Sequence, residues 1–239
     1  MTSFGEHTGE TTLNDLIKHG TLNEAAAIKI LYGVLGYMIE MHTMKKAIGG
    51  LNQLKILVDS VWNVKLVEIS PTNISDGMDR ESVQPDHYMA PEQYKDGKCD
   101  PKSDVFSFGV IVYQMLIGYL PFDNQEQKIR GEYKQIPNEI DSFIREMMIK
   151  MLKSDPKKRP SSSKLLNVLE KEYGDIIYQT NWKIEKKKLT ICGMAPIENY
   201  SSENHAPWYD GRESVDYLRI LRGVKEIGDF AFCDMIKLK

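Results

Sequence analysis

Ile28, Leu31, Leu35, Met38 and His42 recur at three- and four-residue steps, the period of a helix that buries one face. The spacing predicts a helix that runs to about Lys45. Its start is predicted at Thr21-Leu-Asn-Glu24, a capping box in which the hydroxyl accepts from the residue-24 amide while the glutamate reaches back. A loop follows at Ile48-Gly-Gly-Leu51. Lys55-Ile-Leu-Val58 and Asn63-Val-Lys-Leu-Val67, separated by a turn that opens with Asp59-Ser60, read as a β-hairpin. From Ser70 to Gln84 only Ile74, Met78 and Val83 are apolar, which predicts a long loop.

Ser103 to Ile117 is apolar on nearly every side, so a helix there is buried all round or spans a membrane. Ser107, Gln114 and the breakers Gly118 and Pro121 argue against a bilayer, leaving the central helix of a mostly helical domain. Ile140–Leu152 and Ser161–Tyr173 predict two amphipathic helices, the second opened by Pro160-Ser-Ser-Ser163. Beyond Tyr173 the texture changes. Trp182 to Cys192 alternates like a strand pair, Ala195 to Glu213 is polar and irregular, and Tyr217 to Leu221 reads as another strand. The expected division is 1–176 and 177–239.

Composition narrows the function classes. The 239 residues carry 31 Lys+Arg against 34 Asp+Glu, a net charge of −3, so no electrostatic footprint for nucleic acid or an anionic membrane is expected. The first residues lack a basic patch and an apolar core of the signal-peptide kind. A cytoplasmic protein is expected. Cys99, Cys192 and Cys233 are far apart, without metal-ligand spacing, and read as inert thiols.

Four separated patterns then occur in order: Met89-Ala-Pro-Glu92, Lys102-Ser-Asp-Val-Phe-Ser-Phe-Gly109, Pro121-Phe122 and Asp155-Pro-Lys-Lys-Arg-Pro160. Together they resemble the C-terminal lobe of a eukaryotic protein kinase, of the serine/threonine, tyrosine-kinase-like group, over about residues 11–174. Thr12-Leu-Asn-Asp-Leu-Ile17 resembles the short helix that follows the hinge. The resemblance implies a mainly α fold, with Glu92 and Arg159 as a buried ion pair. It also implies that Asp104 accepts from the catalytic-loop main chain, at Gly49 and Gly50.

The same resemblance locates departures. Kinases use a glycine-rich loop, a lysine–glutamate pair, a catalytic aspartate and metal ligands on an asparagine and the DFG aspartate. No GxGxxG is present, and the nucleotide-covering lobe is expected to be missing. Ala26-Ala-Ile-Lys29 imitates the lysine strand but falls on the predicted helix. Counting from Asp59 sets Gly50 at the catalytic aspartate and Lys55 at the metal-binding asparagine; counting forward sets Glu68 at the DFG aspartate. A lysine at position 55 repels a magnesium ion. The expectation is accordingly a pseudokinase and not an enzyme, with no catalytic residues, no cofactor, no ATP or magnesium bound, and protein partners. A direct Lys55–Glu68 salt bridge is expected in place of the metal. Two rivals stand: an ATP-dependent serine/threonine kinase whose missing lobe another chain supplies, and an incomplete gene product.

His42 and His87 read as ordinary histidines of a helix face and a loop, and Thr72, Ser75, Ser82 and Tyr88 as surface hydroxyls. Lys186-Lys-Lys188 reads as a solvated turn. Trp182 to Gly193, Ala206-Pro-Trp-Tyr209 and Gly223 to Cys233 resemble the start of a BspA-type leucine-rich repeat region, whose repeats have about 23 residues. A β-rich domain of another kind is the alternative. The resemblance puts Ile227, Phe230, Phe232, Cys233 and Leu238 in the solenoid core. A single repeat buries too little, so the tail is expected either to lean on the lobe or to belong to a longer product.

Overall fold

A computed structural model describes residues 10–59, 62–67, 85–177, 181–192, 197–220 and 226–238. The chain divides into two compact units, Met1–Glu172 and Tyr173–Lys239. No helix among the described residues is long and apolar enough to cross a membrane.

The first unit is mostly helical, with strand β1 (Thr11–Thr12), helices α1 (Leu13–Lys18) and α2 (Glu24–Thr43), and strands β2 (Ile56–Val58) and β3 (Val64–Leu66). The three strands form one antiparallel sheet in the order β1-β2-β3, with Ile56 opposite Leu66. The hairpin turn is clamped by Asp59, whose carboxylate accepts from the main-chain and side-chain nitrogens of Asn63. Helix α2 starts two residues later than the Thr21 box predicts. Asn23 is the N-cap, its side chain accepting from the Ala26 amide at 2.9 Å. Glu24 does not reach back, because its carboxylate accepts from the Asp141 amide at 2.8 Å.

Helices α3 (Gln93–Asp96), α4 (Pro101–Ile117), α5 (Gln125–Arg130), α6 (Ser142–Met151) and α7 (Ser162–Ile177) complete the helical set. α4 is the centre of the unit. Asp100 caps it, accepting from the Lys102 and Ser103 amides, and Pro101 stands where its missing N–H costs nothing. Ser103 to Tyr113 are buried without interruption, with α2 packed on one side and α6 on another. That all-round burial is why the helix is uniformly apolar in sequence.

In the second unit, strands β4 (Asn181–Glu185) and β5 (Lys188–Cys192) form a hairpin, and β6 (Tyr217–Ile220) pairs parallel to β5. A further parallel bridge joins Ile197 and Ile227. The core is Leu189, Ile191, Ile197, Ala206, Trp208, Val215, Ala231 and Met235. Three residues expected in that core are outside it: Ile227 is 55% and Phe230 58% exposed, and Cys233 is half-buried without joining the cluster. Gly228 explains the difference. A Cβ there would lie 2.2 Å from the Glu198 carbonyl oxygen, so the two chain segments touch backbone to backbone, and Phe230 then turns away at φ +56°. Ala231 and Met235 point inward instead, while Phe232 and Leu238 pack at the edge.

Candidate functional site

The strongest concentration of buried polarity surrounds the start of α4. Arg159, 2% exposed, uses all five of its N–H donors. Two go to Glu92 in a bidentate pair, Nη1 to Oε1 at 2.7 Å and Nη2 to Oε2 at 2.8 Å. The others go to the carbonyls of Lys153, Ser154 and Lys102 at 2.7–2.9 Å. The guanidinium carbon lies 4.9 Å from the Phe106 ring centroid. A lysine has neither the fork nor the donor count for this. Ser103 donates to the same Glu92 carboxylate at 2.8 Å. Burial raises the Glu92 pKa, but the Arg159 and Ser103 bonds and the Arg159 charge outweigh it, and the net shift is below the usual value.

Asp104, 1% exposed, holds the glycine turn. Its Oδ2 accepts from the Ile48 amide at 2.7 Å and its Oδ1 from the Gly49 amide at 3.0 Å. The expected pair, Gly49 and Gly50, is one residue too late. His42 Nε2 lies 3.0 Å from Asp104 Oδ2, and its Nδ1 2.9 Å from the Ser162 hydroxyl. A carboxylate only accepts, so Nε2 carries the hydrogen and, in the neutral ring, Nδ1 accepts from Ser162. Despite its residue types this Ser–His–Asp chain is a tie between α2, α4 and α7: Ser162 is 1% exposed, so its hydroxyl is closed to solvent.

The turn that Asp104 holds is left-handed at both glycines, φ +71° at Gly49 and +55° at Gly50. That conformation favours residues without a Cβ. Lys55 donates to the Gly49 carbonyl at 3.0 Å, so its ammonium closes the turn from the inside. Its expected partner Glu68 lies outside the described residues, as do Thr72, Ser75 and Ser82. Asn52 accepts from the Leu54 amide at 2.9 Å and fixes the exit of the turn.

Opposite the turn runs the segment 85–94. Tyr88 is 2% exposed and its hydroxyl donates to Gln114 at 2.8 Å, so it is not the surface hydroxyl that was expected. Burial pushes its pKa far up. Ser107 donates to the Tyr88 carbonyl at 2.7 Å, and Gln93 accepts from the Ala90 amide at 2.8 Å. Between turn and segment lies a cavity of about 180 Å³ lined by Gly50, Leu51 and Asn52 on one side and Tyr88, Met89, Gln93 and Ser107 on the other. The lining mixes apolar side chains with amide and hydroxyl groups and contains no carboxylate. With the Lys55 ammonium beside the turn, it does not fit a divalent cation, which needs several anionic or carbonyl oxygens. No cluster of metal-ligating side chains occurs among the described residues.

A family model described as the protein kinase domain matches residues 3–171. The chain belongs to the protein kinase family. Among curated relatives, the serine/threonine protein kinase OSK3 of Oryza sativa subsp. indica is 32% identical over 153 residues, covering 60% of this chain and 30% of the relative. The SNF1-related protein kinase catalytic subunit alpha KIN12 of Arabidopsis thaliana is 29% identical over 157 residues, 63% and 32% of the two chains. The dual specificity protein kinase pyk3 of Dictyostelium discoideum is 27% identical over 169 residues, 67% and 13%. The chain spans about a third or less of the length of these relatives. Membership overturns the expectation that the chain is not an enzyme. That expectation was built on side-chain types at Gly50, Lys55 and Glu68, whereas the kinase-domain match extends over residues 3–171 and the curated serine/threonine kinases match 60–63% of the chain.

Proposed function

We propose that this chain is a kinase-family C-terminal lobe that works as a cytoplasmic protein-interaction module, binding a peptide segment of a partner protein between the glycine turn and the segment 85–94. The observation that carries the reading is the convergence of two buried charged groups on that gap. Asp104 fixes one wall through main-chain amides, and Arg159 anchors Glu92 at the end of the other. Such groups are costly to bury unless fully bonded, and here they position main chain on either side of a cavity of peptide side-chain size. The second unit, read as the opening of a leucine-rich repeat, supplies a further interaction surface; the parallel pairing of β5 with β6 and the parallel bridge at Ile197 support that reading.

Fluorescence anisotropy with labelled peptide pools tests it. Saturable binding that is lost in Met89→Arg, with an unchanged melting temperature, is expected. No saturable binding to the parent protein, or binding indifferent to Met89→Arg, overturns it.

A second reading has its own support in the serine/threonine kinase relatives: phosphoryl transfer from ATP, with the nucleotide-covering lobe and metal ligands supplied from outside the described residues. Transfer of labelled phosphate to a serine or threonine peptide in magnesium-ATP supports it. No transfer, and no heat of magnesium-ATP binding, counts against it.

A further inference from the structure

Lys128 on α5 has a setting unlike that of any other lysine among the described residues. It is 3% exposed, and its ammonium reaches the segment some forty residues earlier in the chain. It donates to the Asp86 carbonyl, to the Met89 carbonyl at 3.2 Å and to the Tyr94 hydroxyl at 3.1 Å. Tyr94 in turn donates to the Asp86 carbonyl at 2.9 Å. One amine therefore pins both ends of a short stretch of main chain, and Met89 is a wall of the cavity.

We propose that Lys128 is a proton-responsive positioning residue: its amine fixes the main chain of residues 86–94 and so the Met89 wall, and proton uptake by that amine loosens the hold. The three acceptors are uncharged, so no counter-ion among the described residues is bonded to the buried ammonium. The titratable groups facing it from the segment are Asp86, His87 and Tyr94. On its own helix the neighbours Gln127 and Ile129 are uncharged, and Glu126 and Arg130 pair with each other at 3.6 Å on the exposed side.

The direction of the response follows from linkage. Burial lowers the Lys128 pKa from 10.5 to about 8, with Asp86 opposing the shift. An amine released into water keeps its ordinary value, so between about 8 and 10.5 the held state binds fewer protons than the released one. Rising pH favours the held state through that range: the neutral amine gives up one of the three donated bonds but no longer has a charge to desolvate, and its lowered pKa says the second effect is the larger. Falling pH removes the advantage, and below about 8 none of it remains. Residue His87 responds alongside: burial first and Lys128 second lower its pKa, against Asp86. It titrates below the range in which Lys128 acts.

The hold concerns the cavity wall whatever occupies the cavity, so its test needs no ligand. Carbon-detected NMR of the Lys128 side chain in the parent protein is expected to titrate near 8; a midpoint above 10 overturns the proposal. Hydrogen exchange of residues 86–94, corrected for intrinsic rates and referenced to α6, is expected to slow several-fold per pH unit above pH 8. Lys128→Arg, which keeps its charge, and Lys128→Met, which has none, are both expected to give flat profiles. A flat profile in the parent, or a slope that survives in either variant, overturns the proposal.

Discussion

The unit 10–172 buries Asp104, Lys128 and Arg159 together with six uncharged polar side chains, whereas every fully buried side chain described in 173–238 is apolar or aromatic. In the second unit Trp208 sits at the centre, flanked by Trp182, Tyr200 and Phe232 at 5.9–6.4 Å between ring centroids. Its one polar atom donates to the Ala231 carbonyl at 2.8 Å. An apolar core is non-directional and tolerates repacking of similar volume. Each buried ionisable group in the first unit bonds directionally and names its partners: Arg159 three carbonyls and Glu92, Asp104 two amides and His42, Lys128 two carbonyls and Tyr94. Among those partners Ile48, Gly49, Met89, Lys153 and Ser154 lie outside helices and strands. The first unit thus specifies where loops stand around a cavity, and the second specifies only that its layers stay together.

The largest expected effect breaks the Arg159 cluster. Arg159→Ala strands Glu92 and three carbonyls and costs about 3–5 kcal/mol, a fall of roughly 10 °C in the melting temperature of the first unit. Arg159→Lys restores charge without the fork and is expected to recover less than half of that loss. Trp208→Phe, the matching conservative change in the second unit, costs about 1–2 kcal/mol for lost volume and one hydrogen bond. Segment-resolved hydrogen exchange in denaturant measures both, and a smaller cost for Arg159→Lys than for Trp208→Phe removes the contrast. Acid sharpens it. The Glu92 pKa is depressed in the folded state, so its contribution is complete above its ordinary value of 4.5 and is lost as pH falls through the folded value. Glu92→Gln is expected to flatten the first unit's stability–pH curve below that point, with no change in the second unit. The smallest effect is a gain: Gly36 lies inside α2, where a Cβ meets nothing within 4 Å, so Gly36→Ala stabilises by about 0.5–1 kcal/mol in a thermal melt.

Periodicity made α2, α4, α6 and α7 legible, because each buries a face or a whole surface of its own. Arg159 and Glu92 were legible through the residues around them, Pro160 and Met89-Ala-Pro. Interactions that close over long sequence distances left no local signal. Glu24 looks like a capping glutamate until Asp141 takes it from 117 positions away. Lys128, between Gln127 and Ile129, looks like a surface lysine, and its burial depends on carbonyls that any sequence carries. Main-chain partners explain the one-residue error at Asp104 as well, since Ile48 and Gly50 offer the same amide and only the path of the turn chooses between them. The exposure of Ile227 and Phe230 came from the backbone contact at Gly228, which hydrophobicity does not report.

The central claim is that buried charge positions the loops around the cavity. Hydrogen exchange at the Ile48 and Gly49 amides, in the parent and in Asp104→Asn, tests it most directly. The account predicts strong protection in the parent and exchange ten- to a hundredfold faster in the variant, with the amides of α6 unchanged, since about 1.5–3 kcal/mol attaches to a hydrogen bond made to a charged group. Equal protection of the two amides in both proteins would contradict it.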